Sequence, residues 1–224
     1  MRDLIRQEQF ELEVLDRLNS GRFLSRMVFG GGTMLRLCHG LDRYSVDLDF
    51  WLLPMDDYSE WFIRLRRYVE DFYDLRDAAD KFYTLVLELK SRDYPRSLKI
   101  EMRKDKGDIA TEQSIAYSPF SSIQVFVKTI PLEDMMRSKF DALSKRKEIR
   151  DAYDLEFLVK KGIEVKISPR EADRLLEVIE DFTPRDYKVK LGSLLEADRR
   201  GYYNTNNFRI LKDYLKLKAQ RNGS

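Results

Sequence analysis

From residue 2 to residue 19, apolar side chains (Leu4, Ile5, Phe10, Leu12, Val14, Leu15, Leu18) recur at helical spacing among charged ones. This predicts an amphipathic helix closed by Asn19, Ser20 and Gly21. Met27, Val28 and Phe29 form a short apolar run that ends in three glycines, as a strand does on entering a tight turn, and Thr33 to His39 restarts a helix. Asp47 to Leu52 alternates polar and bulky apolar positions and predicts a strand. Trp61 to Asp74 has helical patterning. Phe82 to Leu89 and Leu98 to Met102 are β-like, with residues 91–97 as the hairpin connection between them, and Ile123 to Ile130 is a further strand.

After Pro131 the pattern turns helical: Leu132 to Arg146, Arg150 to Lys160, Ser168 to Asp181, Arg185 to Ala197 and Phe208 to Ala219. Pro131 and Pro169 stand where first helical turns favour proline. The expected class is therefore α+β. A mixed N-terminal sheet flanked by helices occupies residues 1–130, and a helical C-terminal region occupies 131–224. The neighbourhoods of Gly107 and Pro119 are expected to be exposed loops, and Asn204 to Asn207 a loop and helix cap.

Composition narrows the picture. The chain has 224 residues, 43% of them hydrophobic, including 13 Phe and 12 Tyr, which is ample for a core. Charged residues make up 36%, yet the net charge is only +2, so a surface laced with ion pairs is expected. One cysteine, Cys38, excludes an internal disulfide, and one histidine, His39, argues against a zinc centre or a Ser-His-Asp triad. The N-terminus lacks a signal-peptide core and no run of about 18 apolar residues occurs, so a cytoplasmic protein without membrane association is expected. From Thr183 onward ten Lys or Arg, the last being Arg221, stand against four acids, interleaved with Tyr187, Tyr202, Tyr203, Phe208 and Tyr214. Such a segment suits RNA contact, and it equally suits ordinary amphipathic helices.

The chemistry concentrates in two places. Glycines between a strand and a helix let backbone amides approach a phosphate, with the helix N-terminus adding a favourable field. Gly31 and Gly32 fit that role, and Thr33 offers a hydroxyl. Residues two apart on a strand share a face, so Asp47 and Asp49 project together while Leu48 and Phe50 face the apolar side. Paired carboxylates persist mainly when a cation neutralises them, and magnesium binds carboxylates together with phosphate oxygens. A solvated edge strand would account for the same pair. Glu101, central in its own short strand, adds a third acid if that strand lies beside Asp47–Phe50.

These residues also resemble a family. Gly31-Gly32-Thr33, then Arg43 to Phe50, is similar to the first motif of the AbiEii-type nucleotidyltransferase toxins, within the DNA polymerase beta-like nucleotidyltransferase superfamily. Lys99 to Met102 resembles the strand that supplies the third acid, and Lys139 to Leu143, continuing through Arg146 and Arg150 to Leu155, resembles the later Lys and Asp motifs. The resemblance implies that residues 1–130 are the catalytic core and that 131–224 complete the nucleotide site. It implies Asp47, Asp49 and Glu101 as ligands of Mg2+, with Mn2+ as a substitute, and Lys139 as the group neutralising an NTP triphosphate. Ser45 would lie beside the phosphates, and Asp154 would orient Lys139 or contact substrate. If the helix runs unbroken, Lys139, Arg146 and Arg150 stack on one face. The implied activity is transfer of an NMP from an NTP to an acceptor hydroxyl by the toxin of a toxin–antitoxin pair, with tRNA or another RNA as acceptor and a cognate antitoxin as partner. The alternatives are a nucleotidyltransferase acting on a protein or small molecule, and a non-catalytic binding module.

Overall fold

The computed structural model describes residues 2–104, 107, 109–164 and 166–220, so Arg221 of the basic segment lies outside the described residues. The chain forms two compact units, Met1–Pro131 and Leu132–Ser224.

The first unit contains α1 (Arg2–Ser20), β1 (Met27–Gly30), α2 (Gly31–His39), β2 (Asp47–Leu52), α3 (Tyr58–Glu70) and strands β3 (Asp74–Asp80), β4 (Thr84–Lys90), β5 (Leu98–Lys104), β6 (Glu112–Tyr117) and β7 (Gln124–Thr129). The strands form one mixed sheet in the order β3-β4-β5-β2-β1-β7-β6. β2 runs parallel to β5 and β1 parallel to β7, while the remaining pairs are antiparallel. The period-two pattern sets the core. Leu48, Phe50 and Leu52 of β2 and Leu98, Ile100 and Met102 of β5 are buried, and the residues between them are at least partly open. Phe29 stacks on Phe50, and Phe10 of α1 stacks on Tyr94. Each such side chain removed from water contributes roughly 1.5–3 kcal/mol. α1 seats Leu12, Val14, Leu15 and Leu18 fully in the core.

Two strands depart from the sequence reading. The expected helix to Asp74 starts earlier, at Tyr58, where Asp57 accepts the backbone N–H groups of Ser59 and Glu60, and it stops at Glu70. Asp74 itself opens β3. β3 and β6 are the two edges of the sheet, only partly covered, so neither carries the apolar alternation that reveals a central strand.

The second unit contains α4 (Leu132–Arg146), α5 (Ile149–Lys160), α6 (Pro169–Glu180), α7 (Ala197–Asn206) and α8 (Arg209–Gln220). α6 opens with a capping box in which Ser168 and Glu171 satisfy each other's backbone N–H, with Pro169 at the first position. Buried Glu156 of α5 accepts bonds from Tyr203 Oη and Lys160 Nζ, each at 2.8 Å, and from the Leu211 backbone N–H at 3.1 Å. That places a carboxylate at the N-terminal turn of α8, where unpaired amides favour negative charge. The helix expected over Arg185 to Ala197 is instead a π-helical turn, Asp186–Leu191, followed by a 3₁₀ turn, Gly192–Leu194. α7 is a separate helix that takes in most of the expected loop at 204–207, and Asn207 ends it in the left-handed region at φ 45°. The stack of Lys139, Arg146 and Arg150 does not form, because Lys147 at φ 53° breaks the chain between α4 and α5. Among the described residues no helix is long and apolar enough to cross a membrane.

Candidate active site

The chemistry-bearing residues of the first unit lie where β1 passes into α2 beside β2 and β5. β1 pairs with β2 so that Gly30 stands opposite Asp49. The glycines are there because side chains of β2 and the preceding segment fill the space. A Cβ on Gly30 would fall 1.9 Å from the Trp51 ring, and one on Gly31, which has φ +74°, would fall 2.2 Å from Asp49 Oδ2. A Cβ on Gly32 would meet Arg43 Nη2 at 2.4 Å and Ser45 Oγ at 3.0 Å. The turn therefore brings the start of α2 directly against the Asp49 carboxylate, the Arg43 guanidinium and the Ser45 hydroxyl.

Thr33 has a different immediate role from the one its hydroxyl suggests. It is fully buried, and Oγ1 donates to the Asp47 carbonyl at 2.5 Å, fastening α2 to the first residue of β2. Gln7 of α1 donates to the Val46 carbonyl at 3.3 Å and to the Ser97 carbonyl at 3.4 Å, tying together the entries to β2 and β5.

β5 lies beside β2 in parallel register, with Asp47 against Lys99 and Asp49 against Glu101. Leu48, Ile100 and Met102 are buried on one face, so Asp47, Asp49, Lys99 and Glu101 share the other, more open face. The three acids thus come from two adjacent strands and face one side. Lys99 stands among them and was not singled out by sequence. Its Nζ lies 2.6 Å from Glu101 Oε2, with both side chains nearly half exposed. The bond to Glu101, with the charges of Asp47 and Asp49 behind it, raises the Lys99 ammonium above its usual range. No spacing rule marks Lys99, because its neighbours are set by strand register.

In the second unit, Lys139 of α4 and Asp154 of α5 form a buried ion pair, Nζ to Oδ2 at 2.7 Å. Asp151, one turn earlier on α5 and fully buried, lies 3.4 Å from the same Nζ and accepts Arg146 Nη2 on both carboxylate oxygens at 3.0 Å. Asp154 is therefore in direct contact with the Lys139 ammonium. Asp151, inside the stretch from Arg150 to Leu155, is an additional partner to which the sequence assigns no role.

Among the described residues no group of three or more His, Cys, Asp or Glu is gathered closely enough to hold a metal ion unaided. The donor chemistry nevertheless fits a magnesium-type ion. Such an ion is hard, prefers oxygen, and is usually held by one or two carboxylates plus substrate phosphates and water rather than by a complete protein cage. Asp47 and Asp49, on the same open face beside a glycine turn, supply that partial set.

The fold is shared with solved structures. A presumed nucleotidyltransferase from H. pylori superposes with TM-score 0.55 at 20% identity, covering 93% of this chain and 96% of the other. A second Helicobacter pylori structure, described as JHP933, gives 0.55 at 19% identity, covering 95% of each chain. No curated protein matches the chain. The model of a family of nucleotidyl transferases, the toxins of Type IV toxin–antitoxin systems, matches residues 13–218, through both units and every residue of the candidate site except Gln7. The chain belongs to the AbiEii nucleotidyl transferase toxin family.

Proposed function

We propose that this protein is a magnesium-dependent nucleotidyltransferase that moves an NMP from an NTP to an acceptor hydroxyl, with RNA, and tRNA in particular, as the acceptor class. The observation that carries the reading is the register of β2 and β5, which sets Asp49 beside Glu101 on the face that Gly31 abuts. In this reading Asp47 and Asp49 would hold Mg2+, for which Mn2+ would substitute, and Glu101 would complete the set on leaving Lys99. When bound, the ion neutralises phosphate charge and lowers the pKa of the attacking hydroxyl. The acceptor oxygen bonds to the α-phosphorus, the bond to the α–β bridging oxygen breaks, and pyrophosphate leaves. Glu101 takes the hydroxyl proton.

The turn at Gly31 and Gly32 presents backbone N–H groups to phosphate oxygens, and Ser45 Oγ, close against Gly32, adds a hydroxyl donor. Thr33 contributes by holding that turn to β2. Lys139 is assigned to the triphosphate, and Asp154 positions its ammonium. On this reading the first unit is the catalytic core. As a member of a Type IV toxin family, the protein is expected to have a cognate antitoxin.

Incubation with each radiolabelled NTP, Mg2+ and total RNA should give label that ribonuclease removes. Asp47→Asn should reduce that label to background. Label that persists in the variant overturns the assignment of the carboxylates, and label found only in protein or in a small molecule moves the acceptor to another class.

A further inference from the structure

Lys99 is the one cation on β5 directly flanked by acids on three sides. In register it stands between Glu88 of β4 and Asp47 of β2, and along its own strand it bonds Glu101 at 2.6 Å. The next cation on that face of β5, Arg103, is placed over the Trp51 ring, 5.6 Å from its centroid. Glu88 accepts the Ser97 hydroxyl. Asp47, Asp49 and Glu101 repel one another on a half-open face, and the cations set against that repulsion are the Arg43 guanidinium at the Gly32 turn and Lys99, which bonds Glu101. The Lys99–Glu101 contact is nearly half exposed, 45% for Lys99 and 42% for Glu101, and exposed ion pairs are weak and easily exchanged.

We propose that Lys99 is a built-in counter-ion of the carboxylate face, holding Glu101 until a divalent cation arrives and disfavouring a cation that arrives without nucleotide. The inference rests on the metal reading given under Proposed function and deepens it. A like charge beside the site penalises a free divalent ion. When the cation comes with a triphosphate, the net charge of the incoming group is negative, and the same ammonium favours it. Lys99 is thus a positioning residue for Glu101, and it ties cation loading to nucleotide binding.

The test measures Mn2+ binding directly, by loss of the free-ion electron paramagnetic resonance signal in titrations without nucleotide. The unsubstituted protein is compared with Lys99→Met, Lys99→Arg and Asp49→Asn. Lys99→Met is expected to bind free Mn2+ about tenfold more tightly, the scale of removing one unit charge a few ångströms away at a half-exposed site. Lys99→Arg should retain the original affinity, and the gain in Lys99→Met should shrink at high salt. With a non-hydrolysable NTP present the advantage of Lys99→Met should disappear or reverse. Unchanged or weaker Mn2+ binding in Lys99→Met, with Asp49→Asn losing the ion, overturns the counter-ion role and leaves the metal site standing. If Asp49→Asn binds Mn2+ as well as the original chain, the metal site falls and the counter-ion role falls with it.

Discussion

Lys99 and Lys139 each stand among carboxylates, in opposite settings. The Lys99 pair is nearly half exposed, on a face that holds more negative than positive charge. Lys139 is buried with Asp151 and Asp154, and Arg146, its own side chain half exposed, brings that group into balance at two cations and two anions. An exposed, unbalanced group can trade partners at little cost, as a site that must accept an ion and a substrate requires. A buried, balanced group holds its geometry, because separating any one charge leaves another without compensation in a medium of low dielectric. The difference teaches where adaptability and rigidity lie. On the proposed reading, the carboxylate face changes partners when ion and substrate bind, and the α4–α5 cluster presents one ammonium in a fixed orientation.

The sharpest way to break this comparison separates activity from stability. Asp47→Asn, expected to cost a thousandfold or more in labelling, or about 4 kcal/mol of barrier, should leave thermal unfolding nearly unchanged, since Asn has the same shape and the position is only partly buried. A large loss of stability would place Asp47 with the rigid group. Asp151→Ala should do the reverse: it strips the fully buried partner of Lys139 and Arg146, and urea unfolding should report a loss of about 3 kcal/mol. A loss below 1 kcal/mol would show that the Arg146 side, open to solvent, relieves the cluster of its buried charge.

Gly31→Ala comes next. At φ +74° any side chain is strained, by roughly 1–2 kcal/mol, and this one would press on Asp49. The variant should lose both stability and labelling, whereas Gly40→Ala, also at φ +77° but with open space around its Cβ, should lose stability alone. Equal labelling in the two variants would sever the glycine turn from the carboxylates.

How much of this could be read from sequence follows from what each feature depends on. β2 and the turn before α2 were legible because alternation over Asp47 to Leu52 and consecutive glycines at 30–32 are local signals. Glu101 was legible as a candidate because its strand also alternates, but its neighbour Asp49 is a matter of register, which no single strand encodes. Lys99 was hidden for the same reason. Asp151 was hidden because its importance lies in complete burial between two helices, and nothing in the order Arg150-Asp151-Ala152 marks that. β3 and β6 were hidden because edge strands are half-solvated and mix polar with apolar residues on both faces. The π-helical turn at Asp186–Leu191 followed a helical pattern in sequence, and only its backbone bonding differs.

A third setting for charge tests the rule that burial must be balanced. Glu11 of α1 is fully buried, and neither of its carboxylate oxygens has a hydrogen-bond partner among the described residues. Burial first, then the charges of Glu8 and Asp47, push its pKa well above the ordinary carboxylate value, with Arg36 opposing them. In the window above that ordinary value, the folded chain keeps a proton that the unfolded chain has released. The stability linked to that proton is therefore present at acidic pH and declines as pH rises. Glu11→Gln, close in shape and without a titrating group, should remove this decline. Urea unfolding at pH 5 and pH 8 should find the variant gaining on the original chain toward pH 8, each unit of pKa displacement being worth about 1.4 kcal/mol. Asp47 contributes to the displacement, so the gain from Glu11→Gln should be smaller in the Asp47→Asn background. A gain independent of pH would mean that Glu11 is charged or water-bridged in the folded chain. A gain independent of Asp47 would mean that α1 and the carboxylate face are electrically separate, and that the half-open acids answer only to the charges on their own face.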